Sequence, residues 1–434
     1  LDELMPRYEL SDAEVAHLAA HLRAQDPRAA SGLHAGMLHL ATVVTPDAPA
    51  QRRAVVVETL QRWAGAVRLR GRAVQLQVWS LHGPAHTWRQ QLDAYQAAAP
   101  VYAVLSGAGA AEWAPVQAFC EARALPCILP LLDHIPPGGA ALDAPPYYSL
   151  YFSAGVEAEA LLAARHLQSL TPPPGSAATA TVPVPVSGGT HGPRQLVQCV
   201  DARHAAALAG AARFSLAWAD GVASTDGADA GKPPALLARQ PEPDPLACLA
   251  GSTPRSVLAW MPAQQVQALV QHGPPPPGLQ QLLLSAQLAP PGEIDLPPAW
   301  QPHVAWMSMH SDPVRLRAAR ALVLAQWLRG LGLPQRPGTT QAEVHAATFF
   351  LGDALARMRQ GWSQAWLMEQ LETAVNNRPA GAAYFSLSLA AGQRIAAKTG
   401  AVLVVGPTRG PAEGDELPWS ERLQPAGELM RAEE

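Results

Sequence analysis

Residues 100 to 130, PVYAVLSGAGAAEWAPVQAFCEARALPCILP, decide how this chain is read. Val101 to Leu105 is the short apolar run that a buried parallel strand needs. Ser106-Gly107-Ala108-Gly109 then lets the backbone turn sharply and leaves amides exposed ahead of a helix. Trp113 to Arg123 continues the helix, Pro126 stops it, and Cys127 to Leu129 starts a second buried strand. Two strand ends and a helix N-terminus therefore converge, which is where open α/β sheets bind small molecules.

The same alternation extends on both sides. Strand-like runs at 38 to 44, 74 to 79, 101 to 105 and 127 to 131 are separated by helical segments near 48 to 64, 84 to 97 and 113 to 123. Repeated β-α-β of this kind predicts a parallel sheet covered on both faces. After Tyr147 to Ser153 comes a helix from Val156 to Leu170 and then the proline-rich run 171–186, TPPPGSAATATVPVPV, which is read as a place for the chain to pass between lobes. Further strands are predicted at 195 to 200, 214 to 218, 256 to 261, 281 to 285 and 303 to 308. Between them, residues 225–245 and 272–278 hold too many breakers for regular structure. Helices from Pro313 to Gly330, Thr340 to Gln360 and Trp362 to Ala374 follow, then a last strand around Ala401 to Val405 and a partly ordered tail.

The 434 residues exceed one ordinary domain and suffice for two lobes, each with its own core. Hydrophobic residues at 48% and a net charge of -4 describe a packed protein with no basic field, which excludes nucleic acid as an expected partner. Of the four cysteines, Cys120, Cys127, Cys199 and Cys248, none forms a Cys-x-x-Cys unit, so no zinc ribbon is expected. Cys120 and Cys127 flank a helix-to-strand turn and are either a disulfide or two buried thiols. The fourteen histidines show no metal-binding pattern. Ser106 does not sit in the Gly-x-Ser-x-Gly elbow of a hydrolase, and Glu157 and Glu159, if helical, face solvent or a hinge, so no catalytic residue is expected.

With this order of elements, residues 100–130 resemble the corresponding segment of the type I periplasmic solute-binding proteins of the branched-chain amino-acid and amide transporter group. YYSLYFSAGVEAEALLAARHL (147–167) resembles that family's crossover strand and helix, and HAATFFLGDALARM (345–358) with SLAAGQRIAAKTG (388–400) resembles its C-terminal helices and last strand. The resemblance implies two Rossmann-like α/β lobes joined by a hinge. The first spans 33–153 and returns in part after about 310, the second spans 154–310, residues 311–405 cross between them, and 406–434 form a tail. It implies a small-molecule ligand in the cleft, a periplasmic location, no enzymatic activity, and an ABC transporter permease or a periplasmic redox enzyme as partner. Carried onto this chain, the ligand-binding residues are Ser106, Gly107, Ala108, Trp113, Leu131, Asp133, Trp260 and Ser285. Asp133 stands where amino-acid binders show a threonine, and Leu131 and Leu132 fill space near it, so an apolar or aromatic solute is expected instead of a branched-chain amino acid. A ligand-free docking module for electron transfer is the alternative.

Residues 4–24, LMPRYELSDAEVAHLAAHLRA, are similar instead to the end of class I c-type cytochromes. Ser11 and Glu14 form a capping box for an amphipathic helix over 11 to 24, and Met5 would be the axial haem ligand. The sequence holds no Cys-x-x-Cys-His, so no cofactor is expected in this chain and haem c only in a longer protein. Residues 1–30 are accordingly read as the remnant of a cytochrome domain in a processed or shortened chain.

Overall fold

The computed structural model describes residues 11–16, 31–34, 36–136, 146–170, 196–223, 236–239, 248–249, 256–310, 317–359, 361–378, 383–390, 392–406, 419 and 422–431. At the N-terminus, residues 12 to 16 are helical (α1). The Ser11 amide donates to Glu14 Oε2 at 2.8 Å, and the Glu14 amide donates back to Ser11 Oγ at 3.3 Å, closing the capping box. Met5 and residues 17–30 lie outside the described residues.

The first lobe is built on β1 (Leu33–His34), β2 (Met37–Val44), β3 (Arg68–Leu69), β4 (Arg72–Ser80), β5 (Ala103–Leu105), β6 (Cys127–Ile128) and β7 (Ser149–Leu150). Its sheet runs β3-β4-β2-β5-β6-β7, parallel from β4 to β7, with β3 antiparallel at one edge and β1 folded back on β2. Alternation along β2 sends Leu38 and Leu40 into one buried cluster and Ala41 and Val43 into another, so both faces are covered. Helices α2 (Ala50–Ala66), α3 (Trp88–Ala98) and α4 (Ala114–Ala122) supply much of that cover.

The second lobe carries β8 (Leu196–Val200), β9 (Leu236–Arg239), β10 (Ser256–Trp260), β11 (Gln281–Ser285) and β12 (Val304–Ser308), parallel in the order β9-β8-β10-β11-β12. Strand β13 (Thr399–Val405) adds antiparallel to β12, and β14 (Leu423–Pro425) and β15 (Met430–Arg431) pair with β13. Helices α5 (Val156–Ser169) and α6 (Ala205–Ala223) pack on one face and α7 (Ala263–Gln271) on the other. Helices α8 (Arg317–Gly330), α9 (Thr340–Arg357) and α10 (Gln364–Asn377) return to the first lobe, where Leu328, Phe350 and Leu371 share a core with Leu38 and Leu40.

Two expectations are corrected. Residues 214 to 218 are not a strand but part of α6, because Ala206, Gly210, Phe214 and Trp218 fall on one buried face at four-residue spacing. The passage to the second lobe lies between Phe152 and Val156, ahead of the proline-rich run, since α5 already packs on α6 and β13.

Candidate functional site

Strand ends of the two sheets face each other, and chain segments crossing between the lobes meet beside them. On the first lobe, residues 106 to 110 continue β5 instead of leaving the sheet. The Ser106 amide donates to Ile128 O, Ala108 to Val43 O and Gly109 to Leu131 O, at 2.8, 2.8 and 3.0 Å. The expected turn of exposed amides is therefore corrected for these three: they are spent on neighbouring strands. Ser106 is fully buried with φ of 49°, and among the described residues its Oγ has no hydrogen-bond partner. A Cβ on Gly107 or Gly109 would stand 2.5 or 2.8 Å from the Trp113 ring, so both glycines are required by the indole beneath them.

The loop after β2 reaches the start of α4. Asp47 is exposed, and its Oδ2 accepts from the amides of Ala111 and Glu112 at 3.0 Å each. Its Oδ1 accepts from Thr45 Oγ1. A carboxylate of the chain thus occupies the two loop amides that precede the N-cap Trp113 of α4.

Between the lobes runs a partly buried polar chain. Arg52, in the first turn of α2, donates to Asp133 Oδ1 at 2.6 Å and to the Gly109 carbonyl at 2.8 Å. From the second lobe, Gln287 Nε2 donates to the same Asp133 oxygen at 2.9 Å. Glu159, in the first turn of α5, accepts from Ser285 Oγ at 2.5 Å and from the Gln287 amide at 3.1 Å, and so fixes the loop that carries Gln287. Burial pushes the Glu159 carboxyl up to about 8 against these hydrogen bonds, with the charge of Asp133 adding to the rise. Gly155 is required here as well: at φ of 62° a side chain would run into the Asp133 carbonyl, which accepts from the Val156 amide at 3.0 Å.

The hinge is aromatic and acidic. Phe152 from the first crossing stacks on Tyr384 from the last, with ring centroids 5.0 Å apart, and His310, two residues past β12, also stacks on Tyr384 at 4.9 Å. Glu343 of α9 accepts from Tyr384 Oη at 2.6 Å and lies 3.4 Å from His310 Nε2. Burial raises the Glu343 carboxyl, but His310, the Tyr384 hydroxyl and the charge of Arg52 outweigh it and hold the group below the usual carboxylate range.

Of the residues predicted from sequence, Asp133 and Ser285 are brought into one network. Ser106, Gly107 and Ala108 lie buried in a strand extension of the first-lobe sheet. Trp113 and Trp260 are buried within their lobes, the latter donating from Nε1 to Gln198 Oε1 at 2.8 Å, which corrects the expectation that both offer cleft surface. Leu131 is core of the first lobe, and Leu132 lies against Gly109. Glu159, expected to face solvent or the hinge if helical, is buried against Ser285 and Gln287 of the second lobe. Sequence reading missed Asp47, Arg52 and Gln287. Only the Thr45-Pro46-Asp47 turn at the end of β2 carries a local signal for any of them. Cys120 and Cys127 form a disulfide with Cα atoms 6.2 Å apart, and a second, unanticipated one joins Cys199 to Cys248 at 5.8 Å. Among the described residues there is no cluster of three or more His, Cys, Asp or Glu side chains placed to hold a metal, and no helix is long and apolar enough to cross a membrane.

Solved structures of similar shape include solute-binding proteins of ABC transporters. A branched-chain amino-acid ABC transporter protein from Thermus thermophilus with bound valine superposes with a TM-score of 0.63 at 12% identity, covering 92% of this chain and 97% of that one. A solute-binding protein from Rhodopseudomonas palustris BisB5 in complex with 3,4-dihydroxybenzoic acid gives 0.62 at 11% identity, covering 92% and 98%. The leucine-binding protein LivK from Thermotoga maritima gives 0.59 at 12%, covering 85% and 95%. The fold is that of a type I periplasmic binding protein. No family model matches the chain, and no curated protein sequence matches it. The likeness of residues 4–24 to cytochromes c finds no support in these structures.

Proposed function

We propose that this protein captures a small solute between its lobes by hinge closure, without catalysis, and delivers it to a transporter or a sensor. The observation that carries the reading is the hydrogen bond from Gln287 of one lobe to Asp133 of the other, set at facing strand ends beside crossing segments that hold Phe152, His310 and Tyr384. The valine- and dihydroxybenzoate-bound proteins of the same fold support it, and the second of them is a precedent for an aromatic solute. Two disulfides favour an oxidising compartment, the periplasm, and hence an ABC transporter permease as partner. Thermal-shift screening of the purified protein against small aromatic alcohols, amines and amides tests the reading. A solute at a hundred times its Kd stabilises by about 2.7 kcal/mol, and a smaller radius of gyration in its presence reports closure. No shift with any compound overturns it.

A second reading is a ligand-free docking module beside a c-type cytochrome. It is favoured by the burial of Ser106, Trp113, Asp133 and Trp260 and by polar groups spent on one another. In that reading Met5 belongs to a haem c domain upstream, and a natural sequence without an upstream Cys-x-x-Cys-His would end it.

A further inference from the structure

We propose that His34, Met37 and His39 form a copper(I) site on the β1–β2 hairpin, separate from the cleft. Strand β2 runs toward the cleft, so its first residues stand at the far end of the first lobe. The hairpin register sets His34 of β1 opposite Met37 of β2, and alternation along β2 puts Met37 and His39 on one face. The two imidazoles accordingly meet, with ring centroids 4.8 Å apart and planes at 87°. A metal bonded at about 2.0 Å to one nitrogen of each ring lies about 3.2 Å from each centroid, so ligand angles from square to tetrahedral separate the centroids by about 4.5–5.2 Å. The observed spacing falls inside that window.

The backbone under these side chains is fixed. The His39 amide donates to Gly32 O at 2.9 Å and the Ala73 amide to Gly36 O at 3.0 Å, which ties the hairpin into the sheet. Gly32 has φ of 77°, and a Cβ there would stand 2.1 Å from the Tyr102 amide nitrogen, so the strand is held close over the start of β5. His34 is exposed and Met37 and His39 are half-buried, which lets an ion reach them from solvent. No helical spacing announces the pair, because a turn brings it together. The donor set selects the metal. Two neutral imidazoles and a thioether offer no oxygen to calcium or magnesium. Imidazole suits zinc and copper alike, whereas thioether sulfur is soft and selects Cu(I).

The test is an anaerobic titration of the full chain with Cu(I) in ascorbate against the chromophoric chelator bicinchoninate, with Zn(II) calorimetry as the control for hardness. The proteins are the wild type, Met37→Leu, and His34→Ala combined with His39→Ala. The wild type is expected to take one Cu(I) per chain from the chelator at this site. The double histidine variant should weaken that binding at least a hundredfold. Met37→Leu should weaken Cu(I) at least tenfold and leave Zn(II) within about twofold, a split that a merely structural methionine would not produce. Copper-edge X-ray absorption on the loaded wild type needs no variant, and should show two imidazoles and one sulfur around the ion. Cu(I) binding unchanged in the double histidine variant, equal losses for both metals in Met37→Leu, or a copper shell without sulfur each overturns the proposal. All of these readouts are independent of whether the cleft binds a solute.

Discussion

The two walls of the cleft are built from the same kind of strand-end loop but hold their polar groups in different ways. On the first lobe the loop after β5 is an extension of the sheet, and its acidic groups are matched by fixed donors: Asp133 by Arg52, Asp47 by two amides. On the second lobe the loop after β11 is held by a single buried carboxyl, Glu159, whose raised pKa keeps it protonated at neutral pH. One wall is set by charge pairing and the other by a proton.

The sharpest way to break the first wall is to remove its cation. Arg52→Met leaves Asp133 buried without its charge partner, and the expected loss is about 3–5 kcal/mol of unfolding free energy in urea titrations. A loss below about 1 kcal/mol would place this pair with ordinary surface ion pairs and remove the contrast between the walls.

The lobes also differ in how they are stapled. Cys199 and Cys248 close a loop over a separation of 49 residues, whereas Cys120 and Cys127 are 7 apart. Chain entropy assigns about 4 kcal/mol to the longer loop and about 2.5 kcal/mol to the shorter. Cys199→Ser with Cys248→Ser should therefore destabilise more than Cys120→Ser with Cys127→Ser in calorimetry, and the reverse order would mean that the second lobe does not depend on its staple.

Much of the fold is legible because each central strand is a continuous apolar run with breakers on both sides. Leu38 to Val44, Ser256 to Trp260 and Gln281 to Ser285 are examples. FSLAW at 214–218 satisfies the same rule and fails, because its apolar residues belong to a longer four-residue period that starts at Ala206. The site is far less legible. Arg52 and Asp133 lie 81 residues apart and Gln287 and Asp133 lie 154 apart, and nothing local to any of them announces the partner. Arg52 in a polar stretch of α2 reads as a solvated side chain, and Glu159 as one of two acids in a first helical turn. Tryptophans read as ligand surface turn out to be core, since burial is the usual fate of a large apolar ring. Cys199 and Cys248 carried no spacing signal for the same reason of distance.

The proton on the second wall makes a signed prediction. Glu159 has a folded pKa of about 8 and an ordinary carboxylate pKa when unfolded, so the native state holds a proton that the unfolded chain releases. Its contribution is fully present below about pH 4.5 and is lost as pH rises through 8, with a slope of up to about 1.4 kcal/mol per pH unit. Glu159→Gln keeps a neutral group of the same shape and should flatten the decline between pH 5 and 8, gaining about 3 kcal/mol over wild type at the upper end. Parallel stability curves for the two proteins would place the pH response elsewhere.

The hinge offers the smallest effect and the finest discrimination between the walls. Glu343 is the counterpart of Glu159: also buried, yet held below the usual carboxylate range by His310, Tyr384 and the field of Arg52. Its folded pKa lies below its unfolded one, so its contribution is present above about pH 4.5 and lost as pH falls through the lowered value. Tyr384→Phe removes one charge-assisted hydrogen bond while keeping the ring that stacks on Phe152 and His310, and should cost about 1.5–3 kcal/mol at neutral pH. Because the lost donor stabilises the carboxylate and not the acid, the cost should shrink as pH falls through the lowered Glu343 pKa, opposite in direction to the Glu159 effect. Urea titrations of Tyr384→Phe at pH 4 and pH 7 separate the two cases. A cost independent of pH would mean that the hydroxyl serves packing alone and that the hinge does not share the first lobe's dependence on fixed charge.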